Sequence, residues 1–150
     1  MELSIIFLPL IASIISGFFG KYIGDRNSEI VTSVLVSISS LLSIFVLYQV
    51  IVNQYEENIV IATWISSGSL DVNWSMLIDP LSAVMLVVVT SVSALVHIYS
   101  IGYMSHDPHK PRFMAYLSLF TFAMLMLVTS DNFIQLFFGW EGVGLCSYFL

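Results

Sequence analysis

Long stretches of the chain carry almost no charged side chains, and short polar segments separate them. A helix rises about 1.5 Å per residue and the hydrocarbon core of a bilayer is about 30 Å thick, so apolar runs of about twenty residues predict membrane-spanning helices. The pattern predicts five helices, at residues 3–23, 30–52, 80–103, 113–129 and 132–150. We therefore predict an all-α membrane protein with about five transmembrane helices.

The polar segment between the second and third predicted helices follows a different period. Residues 59–65 are rich in β-branched side chains, and residues 70–76 alternate apolar with polar side chains. A period of two is typical of a β-strand, and Ser67 and Gly68 suit the turn between two strands. We therefore predict a short β-hairpin over residues 59–77, whose apolar face suits the membrane interface or a neighbouring subunit.

The composition agrees with a membrane protein and excludes several other classes. Hydrophobic residues make up 58% of the chain and charged residues 9%, whereas soluble proteins average about a quarter charged. The net charge of −6 is spread thinly over loops and predicts no nucleic-acid partner. The single cysteine, Cys146, cannot form an internal disulfide and lies in the last apolar run, where we expect it to pack. No nucleotide, haem or iron–sulfur motif is present, so we expect no cofactor.

All four lysine and arginine residues lie in two of the predicted loops. Lys21 and Arg26 lie between the first two helices, and Lys110 and Arg112 lie between the third and fourth. Positive residues in short loops stay on the cytoplasmic or mitochondrial-matrix side of the membrane. If each helix crosses once, both loops lie on that side. The amino terminus, the hairpin and the turn at 129–132 then lie on the other side.

One charged residue, Glu141, lies deep inside the last apolar stretch. It follows Asn132 by nine residues, which places it about 13.5 Å from the interface and close to the middle of the bilayer. A charged side chain there costs about 2.5–3.5 kcal/mol on insertion scales, so such residues mark ion, proton or substrate sites. Glu141 is therefore our principal candidate for a functional residue.

Glycines surround Glu141 in the sequence. Gly139 and Gly142 flank it, and Gly144 and Tyr148 follow it by three and seven residues, on the same face of a helix. We expect the missing side chains to leave room for water or for a long partner side chain. The Tyr148 hydroxyl would continue a polar stripe along that face.

The chain contains no intramembrane cation that could pair with Glu141, because every lysine and arginine lies outside the predicted spans. A neighbouring cation favours the charged form of a carboxyl group, so a cation that approaches and withdraws would make Glu141 a proton-storage site. We expect that partner to come from outside these 150 residues. The alternative is a permanently protonated glutamate that forms a hydrogen bond between helices.

Histidine supplies two further candidates. His97 lies about two turns inside the third predicted helix, where an imidazole that titrates near neutral pH suits a proton relay. The alternative is a hydrogen-bonded packing residue. Residues 106–109 (HDPH) include metal-binding side chains, but their spacing matches no known site and the prolines predict a tight loop. We expect no metal there.

Four segments occur in an order that resembles the antiporter-like subunits of respiratory complex I. The resemblance is closest to the distal one, called subunit L in bacteria and subunit 5 of NADH dehydrogenase in mitochondria. The matching segments are residues 100–113 (SIGYMSHDPHKPRF), 116–120 (YLSLF), 131–133 (DNF) and 139–148 (GWEGVGLCSY).

The resemblance implies a role for Glu141 and a larger protein around it. In the family, the glutamate of the fifth helix translocates protons and pairs with a lysine on a later, broken helix, which these residues lack. The resemblance therefore implies the N-terminal part of one integral membrane domain, a fragment of a larger antiporter-like helical bundle. Its expected partners are the remaining part of the subunit, other membrane subunits of complex I and the lipid bilayer. The expected membrane is the bacterial plasma membrane or the mitochondrial inner membrane, with redox catalysis on other subunits.

Two alternatives to this function stay open. The large subunit of multi-subunit cation/proton antiporters shares the fold and the fifth-helix glutamate, although residues 142–145 favour complex I. From a different class, the chain could be a membrane scaffold fragment that transports nothing. Either a truncated chain or a split gene product would explain the missing lysine.

Overall fold

Five α-helices and one β-hairpin follow one another in the order that the hydrophobic pattern predicts, which confirms the predicted fold class. Helices α1 to α4 are each long and apolar enough to cross a membrane, whereas α5 has 17 residues. In the computed structural model, which describes residues 1–150, the elements are α1 Glu2–Ile23, α2 Asp25–Asn53, β1 Glu57–Ser67, β2 Leu70–Ile78, α3 Pro80–Tyr103, α4 Lys110–Val128 and α5 Phe133–Phe149.

Two helices begin earlier than the hydrophobic pattern predicts. Helix α2 begins at Asp25 instead of residue 30, and α4 begins at Lys110 instead of residue 113. The prediction counted apolar residues, but the backbone hydrogen bonds of a helix continue through a polar first turn. Gly24 alone separates α1 from α2, with a φ of 88° in the left-handed region that favours glycine.

Helix packing does not simply follow chain order. Helix α1 packs against both α2 and α4, α2 packs against α3, and α5 packs mainly against α4. A cluster of buried apolar side chains joins helices α1 to α4 to the base of β2 and forms the core. It comprises Ile5, Ile6, Val46, Val50, Met76, Ile78, Ala83, Leu86, Leu125 and Met126.

Hydroxyl side chains connect the early helices within the membrane-spanning region. Ser39 on α2 donates a hydrogen bond to the carbonyl oxygen of Ile5 on α1 at 2.6 Å. Ser43 on α2 meets Thr90 on α3, with 2.7 Å between their oxygens. Lipid cannot satisfy these polar groups, so such contacts hold neighbouring helices together.

The hairpin is a two-stranded antiparallel sheet, as predicted, and spans residues 57–78. Gly68, with a φ of 64°, lies in the turn between the strands. Strand β1 is largely exposed, whereas the second half of β2 is buried against the helices. The hairpin is therefore anchored through β2, and an isolated hairpin of this size would be only marginally stable.

The two ends of the helix bundle differ in chemistry. The hairpin and the α4–α5 turn lie together at one end, where Asn58 Nδ2 donates to Asp131 Oδ2 at 2.8 Å. The two basic loops lie together at the other end, where Ser16 Oγ donates to the Pro111 carbonyl oxygen at 2.7 Å. The two basic loops therefore share one end of the bundle, as predicted.

Candidate functional site

Helix α5, which carries Glu141, begins at a side-chain cap. The Asn132 Oδ1 atom accepts a hydrogen bond from the Gln135 backbone N–H at 2.8 Å, an interaction that asparagine favours at a helix start. The Asn132 Nδ2 atom also donates to the Asn73 carbonyl oxygen at 2.9 Å. The same residue therefore caps α5 and ties it to strand β2.

Gln135 is a fully buried residue that fixes α5 against the hairpin. Its Nε2 atom donates to the Ser75 carbonyl oxygen at 2.7 Å, and its Oε1 atom accepts from the Ser75 N–H at 3.0 Å. The side-chain amide thus bonds to strand β2 as a neighbouring strand would. At the end of α4, the Thr129 carbonyl oxygen accepts a hydrogen bond from the Leu77 N–H at 2.9 Å.

These bonds form a unit that we call the hairpin clasp: Thr129, Asp131, Asn132 and Gln135 bonded to Asn58, Asn73, Ser75 and Leu77. Sequence reasoning missed it. The signal that could have revealed it is Gln135 itself, an amide within the apolar fifth helix, where lipid offers no hydrogen-bond partner.

One face of α5 lies closely against α4. A Cβ atom at Gly139 would lie 2.8 Å from the Cα atom of Leu127, and a Cβ atom at Gly142 would lie 3.1 Å from the Cβ atom of Ala123. These two glycines therefore permit close helix packing instead of leaving room beside Glu141, contrary to our expectation. Buried Cys146 continues the same face and packs there, as expected.

Glu141 lies on the opposite face of α5 and is exposed. Its carboxylate forms no ion pair with another residue of the chain. A Cβ atom at Gly144 would meet nothing within 4 Å, so this glycine does leave open space on the Glu141 side. The exposed Tyr148 side chain lies two turns further along that side. The remaining exposed neighbours are apolar: Phe137, Phe138, Trp140 and Leu145.

His97 lies in a different part of the fold, fully buried between α3 and α4. Its Nδ1 atom lies 2.7 Å from the Ser93 carbonyl oxygen, which can only accept, so Nδ1 carries the proton. Its Nε2 atom lies 3.0 Å from Ser118 Oγ, and Ser93 Oγ also contacts Thr121 Oγ1. All these partners lie on α3 or α4. The structure therefore brings Glu141 and Tyr148 to one face of α5 but does not bring His97 to them.

The histidine-containing loop between α3 and α4 forms a tight turn. The Asp107 Oδ1 atom accepts a hydrogen bond from the His109 backbone N–H at 2.7 Å. The Asp107 carboxylate thus stabilises the turn through a hydrogen bond to the backbone, as is common in loops of this composition.

Comparison with known proteins gives consistent matches. Residues 64–114 match the family described as NADH-Ubiquinone oxidoreductase (complex I), chain 5 N-terminus. The whole chain is 57% identical over 150 residues to NADH-ubiquinone oxidoreductase chain 5 of Arabidopsis thaliana, and 57% identical over 150 residues to that of Triticum aestivum. A chain 5 from Phytophthora infestans is 54% identical over 148 residues, or 99% of this chain.

Four helices that are long and apolar enough to cross a membrane define an integral membrane protein. The sequence matches are more specific, because these chain 5 sequences align with 99–100% of the chain. Over nearly its whole length the chain is therefore similar to complex I chain 5. It spans 22% of the length of the relatives named above.

Proposed function

We propose that this chain is the N-terminal part of a proton-translocating membrane subunit of complex I, with Glu141 as an intramembrane proton site. The observation that carries the proposal is the position of Glu141. It is the one acidic side chain within α5, and it lies on the face that the other helices leave uncovered. The names of the relatives support complex I over a multi-subunit cation/proton antiporter. The host membrane is the bacterial plasma membrane or the mitochondrial inner membrane.

The mechanism that we propose is a change in the partner of Glu141. Two unit charges 4 Å apart attract by about 4 kcal/mol at an effective dielectric constant of 20, which changes a protonation equilibrium by a factor of about 10³. A lysine that approaches the uncovered face of α5 would release the proton of Glu141, and its withdrawal would restore it. The open space at Gly144 would admit a long side chain.

His97 and Tyr148 take secondary roles in this proposal. His97 Nε2 lies 3.0 Å from the Ser118 hydroxyl on α4, and Nδ1 lies 3.3 Å from the Ser93 hydroxyl on α3. A turn of the Nδ1–H bond from the Ser93 carbonyl oxygen to that hydroxyl would let the imidazole pass a proton between α3 and α4. The Tyr148 hydroxyl would line the surface where the partner of Glu141 approaches. We propose that the remaining part of the subunit and other membrane subunits of complex I cover α5. Redox catalysis and its cofactors would belong to other subunits.

The variant Glu141→Gln tests the proposal in the assembled complex. Glutamine keeps the size and hydrogen-bonding ability of the side chain but removes its proton and its charge. We expect proton pumping per NADH oxidised to fall severalfold while assembly is retained, with Glu141→Asp as the variant that keeps the carboxyl group. Unchanged pumping in a normally assembled complex would leave only the scaffold hypothesis.

A further inference from the structure

A cavity lies at the basic end of the helix bundle, and Glu141 is not among its lining residues. It has a volume of about 470 Å³ and opens between the α1–α2 turn and the α3–α4 loop. Only 2 of its 11 lining residues are hydrophobic, although 58% of the chain is hydrophobic. A polar cavity in so apolar a protein suggests a polar ligand. We call it the basic cleft, and its charged or titratable lining residues are Lys21, Asp25, His109 and Arg112.

The floor of the basic cleft is formed where α1 meets α4. Ser16 Oγ on α1 donates to the Pro111 carbonyl oxygen at 2.7 Å. A Cβ atom at Gly20 would lie 2.6 Å from the Cβ atom of Pro111, and one at Gly17 would lie 3.5 Å from the Cβ atom of Ala115. Helix α1 and the start of α4 therefore touch directly, and this contact keeps the shape of the cleft.

Two cations line the basic cleft without an acidic partner. Neither Lys21 nor Arg112 forms an ion pair, whereas Lys110 Nζ lies 4.0 Å from the buried Glu29 Oε1 atom. Arg112 is held by Tyr116, because its Nε atom donates to the Tyr116 hydroxyl at 3.3 Å and its guanidinium carbon lies 5.6 Å from the ring centre. Its two terminal nitrogens are left as free donors.

We propose that the basic cleft binds the phosphate group of an anionic phospholipid. A guanidinium group with two free nitrogens matches the geometry of a phosphate, and Lys21 adds a second positive charge. Asp25 is the single acidic residue of the lining, so the charged lining remains net positive. Basic pockets between membrane helices on the cytoplasmic or matrix side typically hold anionic headgroups.

The position of the basic cleft favours a lipid over free phosphate. The two basic loops lie at the membrane surface, at the level of the lipid headgroups. Phe18 and Tyr22 on α1, next to the lining residues Gly17 and Lys21, are 77% and 89% exposed. Aromatic side chains at this depth suit contact with lipid. The acyl chains of the same lipid would lie against this exposed surface of α1.

The first test compares lipids on the unmodified protein. Native mass spectrometry of the complete subunit in detergent would measure retention of phosphatidylglycerol, phosphatidylcholine and inorganic phosphate. We expect phosphatidylglycerol to be retained about 30-fold more strongly than phosphatidylcholine, the effect of two basic contacts. Equal retention of the two lipids would overturn the proposal. Displacement of phosphatidylglycerol by millimolar inorganic phosphate would also overturn it, because the site would then belong to free phosphate.

The second test uses variants of the basic residues. The double substitution Lys21→Gln with Arg112→Gln removes both free cations, and we expect it to abolish the preference for phosphatidylglycerol. Arg26→Gln is the matched control, because Arg26 lies beside the same turn, is exposed and does not line the cleft. We expect this control to stay within twofold of the unmodified protein. An equal loss in the control would assign the preference to general surface charge and overturn the proposal. If the double variant does not fold, the lipid comparison on the unmodified protein decides.

Discussion

The two faces of helix α5 differ in how far the rest of the chain covers them and binds their polar groups. The face toward α4 carries Gln135, Gly139 and Cys146, all buried, and the amide of Gln135 has its partners within the chain. The opposite face carries Glu141 and Tyr148, both exposed and surrounded by apolar side chains. The first face therefore holds the fold together. The second has no partner within the chain.

This difference separates two reasons for a polar residue or a glycine in a membrane helix. Gln135 and Gly139 serve packing, and the structure supplies the atoms that they contact. Glu141 and Gly144 have no such atoms within the chain, so they are candidates for function. Substitutions on the two faces should accordingly affect different measurements.

The largest effect is expected from a leucine at Gly139. Its Cβ atom would lie 2.8 Å from the backbone of Leu127, which cannot move aside as a flexible side chain could. Overpacking against backbone should cost more than about 3 kcal/mol of unfolding free energy and separate α5 from α4. The measurement is the yield of monodisperse complete subunit and its thermal unfolding temperature.

Gly144→Leu is the matched control for that substitution. It adds the same side chain to the same helix at a position with open space. We expect the subunit yield to be retained and proton pumping by the assembled complex to fall, because the leucine fills the space beside Glu141. Equal losses of yield for the two variants would show that the two faces do not differ as described.

An intermediate effect is expected from Gln135→Leu. The substitution leaves the buried N–H and carbonyl groups of Ser75 without side-chain partners, at about 1–3 kcal/mol each. We expect a loss of about 2–4 kcal/mol of unfolding free energy in the complete subunit, measured by denaturant titration. Asn58→Ala removes an exposed bond of the same hairpin clasp and should cost about 0.5–1 kcal/mol. Similar losses in both variants would mean that the burial of Gln135 adds nothing to the unfolding free energy.

A smaller loss of stability than that of Gln135→Leu is expected from His97→Gln. Glutamine can retain part of the bonding to Ser93 and Ser118, so the loss of unfolding free energy should be about 1–2 kcal/mol. It cannot pass a proton as an imidazole does, and we expect proton pumping by the assembled complex to fall less than in Glu141→Gln. Pumping that stays at the level of the unmodified complex would assign His97 to packing alone.

Much of the fold could be predicted from the sequence, because membrane spans depend on local chemistry. The predicted third helix, 80–103, agrees with the structure at both ends. Its start depends on local chemistry, because Asp79 and Ser82 form a capping box. The start of α2 was missed because Asp25 to Glu29 form a polar first turn. The hairpin clasp was missed because Gln135 and Ser75 are 60 residues apart in the chain, and no local pattern links them.

The sequence by itself determined the spans, the shared side of the two basic loops and the presence of one carboxyl group deep in the last helix. Only the tertiary structure decided which glycines pack and which leave space, that Gln135 anchors α5, and that Glu141 faces outward. The physical reason is that an apolar side chain is equally satisfied by lipid and by protein, so hydrophobicity alone does not show which face of a membrane helix meets a neighbour. That choice depends on the shape of the neighbouring helices and on the partners available to each buried polar group.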